Sequence, residues 1–186
     1  MAKQKRNLLT QGMSGKIGGI VFRQKDGQTI ISIAPEKKTK EPSEKQKKHQ
    51  ERFQKATIYA KKVMANLKKK AAYEEAAKEK KATVYTIAVA DFLNSPDIQE
   101  VDLTGYTGEI DSEITIVAVD DFLVAGVHVE IYLMDGSLLE EGEAVEVAKN
   151  VWVYKATQNS QDLTGAKIIV SASDLPGNIT KEDITL

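Results

Sequence analysis

SEKQKKHQERFQKATIYAKKVMANLKKKAAYEEAAKEKK, residues 43–81, carries a helical apolar period under a coat of lysines. Ser43 stands three residues before Gln46, the capping-box spacing, in which the serine oxygen accepts from a free backbone N–H and the glutamine reaches back. A helix is therefore expected to start there. Phe53, Ala56, Ala60, Val63, Leu67 and Ala71 follow at steps of three or four, a narrow apolar stripe with Tyr59 and Met64 at its margin. Unbroken to Lys81 the helix would run roughly 60 Å at ~1.5 Å per residue, more than a small domain needs. A break near Asn66 or in the lysine runs, giving a helical hairpin, is the expected outcome.

Upstream, Pro35 and Pro42 bracket the linker EKKTKE, and before it GKIGGIVFRQKDGQTIISIAP (15–35) holds two β-prone runs around Asp26-Gly27. A two-residue Asp-Gly connection favours a type I′ turn, whose twist matches the strands. That sets Lys25 opposite Gln28, Arg23 opposite Ile30, Phe22 opposite Ile31 and Ile20 opposite Ile33. Ile20, Phe22, Ile31 and Ile33 then share one face, with Val21, Arg23, Lys25 and Ile30 on the other. An isolated two-stranded hairpin is marginal in water, so the apolar face is expected to dock on the following helix or on a partner's strands.

Downstream, TVYTIAVADFLNSP (83–96) suits a strand by composition, yet Val84, Ala88 and Phe92 fall at steps of four. We read a helix ending at or before Asn94, because Pro96 disfavours helical geometry at Ser95. Beyond it, short alternating runs recur: 98–103, 112–119, 126–136, 138–147, 152–157, 166–174 and 178–186. Ile114, Ile116, Ala118, Val127, Val129, Ile131, Leu133, Trp152, Tyr154, Ala156, Ile168, Val170 and Ala172 are expected to face inward. About seven strands with regular turn signals suggest an immunoglobulin-like sandwich, pinned by Trp152 because the chain has no cysteine. The expected fold is α+β, with a basic β-hairpin and helical module over 1–94 and an acidic all-β sandwich over 97–186.

The segments AVADFLNSP (88–96), VDLTGYTGEI (101–110), DDFLVAGVHVEI (120–131), NVWVYKAT (150–157) and ASDLPGN (172–178) resemble bacterial immunoglobulin-like domains. Together with GKIGGIVFRQKDGQT and QERFQKA, they resemble a family of uncharacterised bacterial proteins that join a β-hairpin and basic helix to such a domain. The resemblance implies the sandwich fold and a helix over 83–94, and no catalytic or binding residues.

Charge is divided along the chain. Residues 1–81 hold 22 Lys and Arg against 8 Asp and Glu, a net +14, whereas 82–186 hold 4 against 19, a net −15. Three partners answer such a dipole: nucleic acid or an acidic protein at the basic half, or the acidic half of another copy. The start, MAKQKRNLLTQG, lacks the apolar run of a secretory signal, and no stretch is apolar enough for a membrane span. A cytoplasmic location, or a place in an assembled particle, is expected.

Motifs for catalysis fail on spacing. Gly12, Gly15, Gly18 and Gly19 match neither a phosphate loop nor a dinucleotide fingerprint, since Gly15-Lys16 is followed by Ile17. No G-x-S-x-G is present, and a thiol nucleophile is excluded. His49 and His128 lack a second ligand at zinc spacing. Glu140 and Glu141 are adjacent strand residues and point to opposite faces. Asp120, Asp121, Asp135, Asp174 and Asp183 would suit calcium only if they met at one end of the sandwich; turn aspartates bonding nearby backbone are the simpler reading. No catalytic, cofactor or metal residue is assigned.

The expected function is a non-enzymatic structural or interaction protein that self-assembles or belongs to a phage-like or injection-type particle. Ile20, Phe22, Ile31, Ile33, Arg52, Phe53, Lys55, Lys61 and Lys62 are the expected partner-binding residues. The alternative is non-specific phosphate binding to nucleic acid through Lys45, Lys47, Lys48, Arg52, Lys55, Lys61 and Lys62. Base-specific readout is not expected, because no reading motif accompanies the lysines. Adhesion to carbohydrate through the sandwich loops would require an export route.

Overall fold

A computed structural model describes residues 2–4, 10, 12–35, 41–160 and 162–186. Most of the linker before Pro42 and most of the N-terminal start lie outside the described residues. The chain falls into two compact units, Met1–Glu44 and Lys45–Leu186.

The first unit is a four-stranded antiparallel sheet of β1 (Ala2–Gln4), β2 (Gly15–Ile17), β3 (Ile20–Lys25) and β4 (Gln28–Ile33), in the order β1-β4-β3-β2. Asp26 (φ 52°) and Gly27 (φ 71°) both take the left-handed conformation that a type I′ turn requires. The register follows from that turn: Ile20 pairs with Ile33, Phe22 with Ile31, Arg23 with Ile30 and Lys25 with Gln28. Two short strands extend the expected hairpin, β2 on β3 and β1 on β4. Their backbone pairs the rows of N–H and C=O groups that a bare hairpin leaves open.

The second unit contains α1 (Glu44–Ala65) from Lys45 on, α2 (Leu67–Glu79), α3 (Val84–Leu93) and, among the described residues, eight strands. The helical stretch breaks at Asn66, whose side-chain oxygen accepts from Lys69 N and caps α2. Ala56, Ala60 and Val63 of the expected stripe are fully buried. Leu67 is 82% exposed and Ala71 is exposed too, while Tyr73 and Ala77 are buried instead. The break resets the helical phase, so the stripe read through it shifts to other residues. Thr83 caps α3 and Asn94 ends it, as expected for 83–94. Ala60, Val63, Tyr73, Ala77, Ile87 and Ala88 form a small core of the three helices, with Phe122 packed against it.

The strands are β5 (Asp97–Asp102), β6 (Glu113–Val119), β7 (Val124–Tyr132), β8 (Leu138–Glu143), β9 (Val145–Ala148), β10 (Val151–Lys155), β11 (Lys167–Asp174) and β12 (Ile179–Thr185). They build two antiparallel sheets, β5-β6-β10-β9 and β12-β11-β7-β8. Inward residues of both sheets share one core, among them Ile114, Ile116, Val127, Val129, Ile131, Trp152, Tyr154, Ile168 and Val170. Leu133, expected inside, is only half-buried because β7 ends at Tyr132 and the chain turns. The single strand expected over 138–147 is two: at buried Ala144 the chain leaves the sheet of β7 and joins that of β10.

A division at 94–97 does not separate compact units here, because the helices and the strands belong together. Tyr73 of α2 stacks on Phe122 of the β6–β7 connection, with centroids 4.2 Å apart and planes at 19°. The Asn178 amide, after β11, donates to the carbonyls of Phe92 (3.2 Å) and Asn94 (3.1 Å) at the end of α3.

Candidate functional site

Alternation along β3 and β4 places Ile20, Phe22, Ile31 and Ile33 on one face, and β2 adds Ile17 through its pairing with Ile20. Phe22 and Ile31 are half-buried, whereas Ile17, Ile20 and Ile33 are 63%, 45% and 86% exposed. At the turn end the face is closed by Thr29, 5% exposed, which donates to the Thr10 carbonyl (2.9 Å) and accepts from Gln24 (2.9 Å). The sheet thus has a tied end and a bare apolar end.

Arg52, Phe53, Lys55, Lys61 and Lys62 all lie on α1 and all are exposed. At 100° per residue, Lys48, Arg52, Lys55 and Lys62 fall along one flank of the buried Ala56–Ala60–Val63 row, with Lys61 on another side. Phe53 sits beside the row, half-exposed at 48%. The part of the stripe expected as a docking face, Ala56 to Val63, is already covered inside the second unit. The hairpin residues and the α1 residues belong to different units, so the nine expected partner-binding residues make two sets.

A third constellation joins α3 to the strand connections. Oxygens of Asp91 on α3, Asp120 after β6 and Asp174 at the end of β11 all lie within 4.8 Å of one another. Asp91 is 1% and Asp174 4% exposed, and Asp120 is half-buried. Asp120 Oδ2 accepts from Phe122 N (3.1 Å) and Leu123 N (3.0 Å), which fixes the connection to β7. Asp174 Oδ1 accepts from Gly177 N (2.8 Å) and Asn178 N (2.6 Å), and its Oδ2 from the Asn178 amide (2.7 Å). Asp91 Oδ2 accepts from the Tyr73 hydroxyl. Tyr73 spends its only proton there, so the 2.9 Å contact between the Tyr59 and Tyr73 hydroxyls has Tyr59 as donor. Burial, with the Asp120 and Asp174 charges added, pushes the Asp91 carboxyl up to about 7 against the opposing pull of the Tyr73 hydrogen bond. Burial likewise raises Tyr73 far above the ordinary phenol range.

Of the five aspartates considered for calcium, the fold brings together only Asp120 and Asp174. Asp121 accepts from the Asn94 amide and receives Lys80 on its carbonyl (2.6 Å), Asp135 caps its own turn through Ser137 N (2.9 Å), and Asp183 pairs with Lys167 (3.0 Å). Asp91 was not among them. Its signal in the sequence is that it is the only charged residue of the ten in VYTIAVADFL.

His128 lies on the outer face of β7, with Nδ1 3.0 Å from Glu143 and Nε2 3.8 Å from Glu141. Glu140 and Glu141 do point to opposite faces: Glu141 is exposed, and Glu140 is 5% exposed. Its Oε2 accepts from Thr157 N (2.6 Å), Thr157 Oγ1 (2.8 Å) and Gln158 N (3.2 Å). Among the described residues, no helix is long and apolar enough to cross a membrane. No protein-family model matches the chain, and no curated protein does.

Proposed function

We propose that the chain is a non-enzymatic structural or interaction protein that assembles with further copies of itself, as a component of a phage-like or injection-type particle. The observation that carries this reading is the exposed row of Ile17, Ile20 and Ile33 on a sheet with four short strands among the described residues. An apolar row of that kind gains by being covered, and a second chain is the cover it suits. The division of charge, +14 over 1–81 and −15 over 82–186, selects another copy as that chain, because unlike surfaces of the same protein attract. Such contacts are head-to-tail, and they close into rings or continue as filaments.

The immunoglobulin-like reading supports a particle role by analogy of fold alone. Lettered in chain order A, B, C, C′, D, E, F and G, the strands β5 to β12 give the sheets A-B-E-D and G-F-C-C′, the order of that fold. Membership in the bacterial family resembled in sequence, and a cytoplasmic location before assembly, belong to the same proposal. Ile20→Lys combined with Ile33→Lys tests it: the double variant should remain folded by circular dichroism and lose association in sedimentation velocity. Unchanged association would remove the isoleucine face from the account.

A second reading rests on the exposed Arg52, Lys55, Lys61 and Lys62 of α1, which suit phosphate contacts without sequence preference. Salt-sensitive retardation of duplex DNA, lost when these four become glutamine, would favour it over self-assembly.

A further inference from the structure

We propose that Asp91, Asp120 and Asp174 bind a hard divalent cation of the calcium type, a site that ties α3 to the ends of β6 and β11. Three carboxylates within 4.8 Å repel one another, and among the described residues no lysine or arginine forms an ion pair with any of them. The donors around them are neutral: a tyrosine hydroxyl, an asparagine amide and backbone N–H groups. A divalent ion turns three mutual repulsions into three attractions.

The second observation is independent of the clustering. Asp91 Oδ1 is buried on a residue 1% exposed and has no hydrogen-bond partner, and neither has the buried Oδ1 of Asp120. A bare buried acceptor is costly. On both residues Oδ2 is already held, by Tyr73 and by the amides of Phe122 and Leu123. Oxygens of the two carboxylates lie within 4.8 Å of each other, so the unheld oxygens are the pair left to face a shared ligand. One proton shared between these oxygens would pair them and still leave two negative charges unbalanced. A cation answers both.

The donor set selects the metal. All three residues offer oxygen, which suits calcium, magnesium or manganese, and no sulfur or nitrogen stands among them. Calcium accepts irregular geometry and six or more oxygens, so water must complete the shell. Asp120 provides the route, since it also lines an open groove of about 530 Å³ together with Glu75, Glu79 and Asp121, as well as Lys80 and Lys149. Asp120 and Asp174 stay anchored by backbone N–H groups and Asp91 by the Tyr73 hydroxyl, which holds the three carboxylates in place with or without the ion.

The test uses the full chain, stripped with chelator and then given calcium, magnesium or manganese. Calcium at about 100 times its dissociation constant should raise the melting temperature by roughly 5–10 °C over the chelated protein. Terbium, a calcium stand-in, should give luminescence sensitised by Tyr59 and Tyr73 that calcium displaces. Asp91→Asn and Asp120→Asn, close in shape to the native residues, should abolish both responses, and Asp135→Asn should keep them. Equal melting temperatures with calcium and with chelator, or responses that survive both the Asp91 and the Asp120 substitutions, would overturn the site. A chelated Asp91→Asn protein that melts higher than chelated wild type, with no calcium response in wild type, would assign the shared ligand as a proton instead.

Discussion

Glu140 enters the core from β8 and holds the chain after β10, since one of its oxygens takes the N–H groups of Thr157 and Gln158. Replacing it by alanine leaves these part-buried donors without their acceptor, and urea unfolding of Glu140→Ala should show a loss of about 1–2 kcal/mol. Tyr106 and Tyr154 stand near the same carboxylate. Burial, with the Glu140 charge added, pushes the Tyr106 hydroxyl up to about 12 and Tyr154 higher still. A folded phenol that keeps its proton while the unfolded one ionises near 10 contributes stability below that pH, and the contribution is lost as pH rises toward 12. Tyrosinate absorbance during alkaline titration should therefore show three of the six tyrosines, Tyr106, Tyr154 and the buried Tyr73, ionising only as the protein unfolds. Normal titration of these three near pH 10 with the fold intact would contradict this.

Among the elements, Asn66 is the hinge point of the helical stretch. Its side chain caps α2, so Asn66→Ala should cost about 1 kcal/mol in thermal or urea unfolding. The hairpin was fully legible in the sequence, because Asp26-Gly27 selects one turn, the turn selects one register, and the register assigns every side chain to a face. A break in the helical stretch was legible from its length, with Asn66 as one of the places named for it, and the helix over 83–94 from its steps of four and Pro96. Leu67 and Ala71 were misassigned, since a period carried across a helix break loses its phase. The switch of sheets at Ala144 left no mark, because a single residue joins β8 to β9 with no turn signal between them. Asp91 joins residues 29 and 83 positions away in the chain, and a meeting of that range is set by packing of α3 on the strands. Local pattern offered only the oddity of a lone acid in an apolar helix.

Over the whole molecule, the account rests on two features: an apolar row left bare on a small sheet, and opposite charge on the two parts of one sequence. The lysines of α1 stay in solvent, so their field reaches outward and weakens with salt. Burial of Ile17, Ile20 and Ile33 is less sensitive to salt, and so both features together predict assembly that salt loosens and that lysine at positions 20 and 33 abolishes. Light scattering coupled to size exclusion, run at several protein concentrations in about 20 mM and about 0.5 M salt, tests this most directly. The account predicts a mass above that of one 20.5 kDa chain at low salt, rising with concentration and falling toward the single chain at high salt. A single-chain mass at every concentration in both buffers would contradict it.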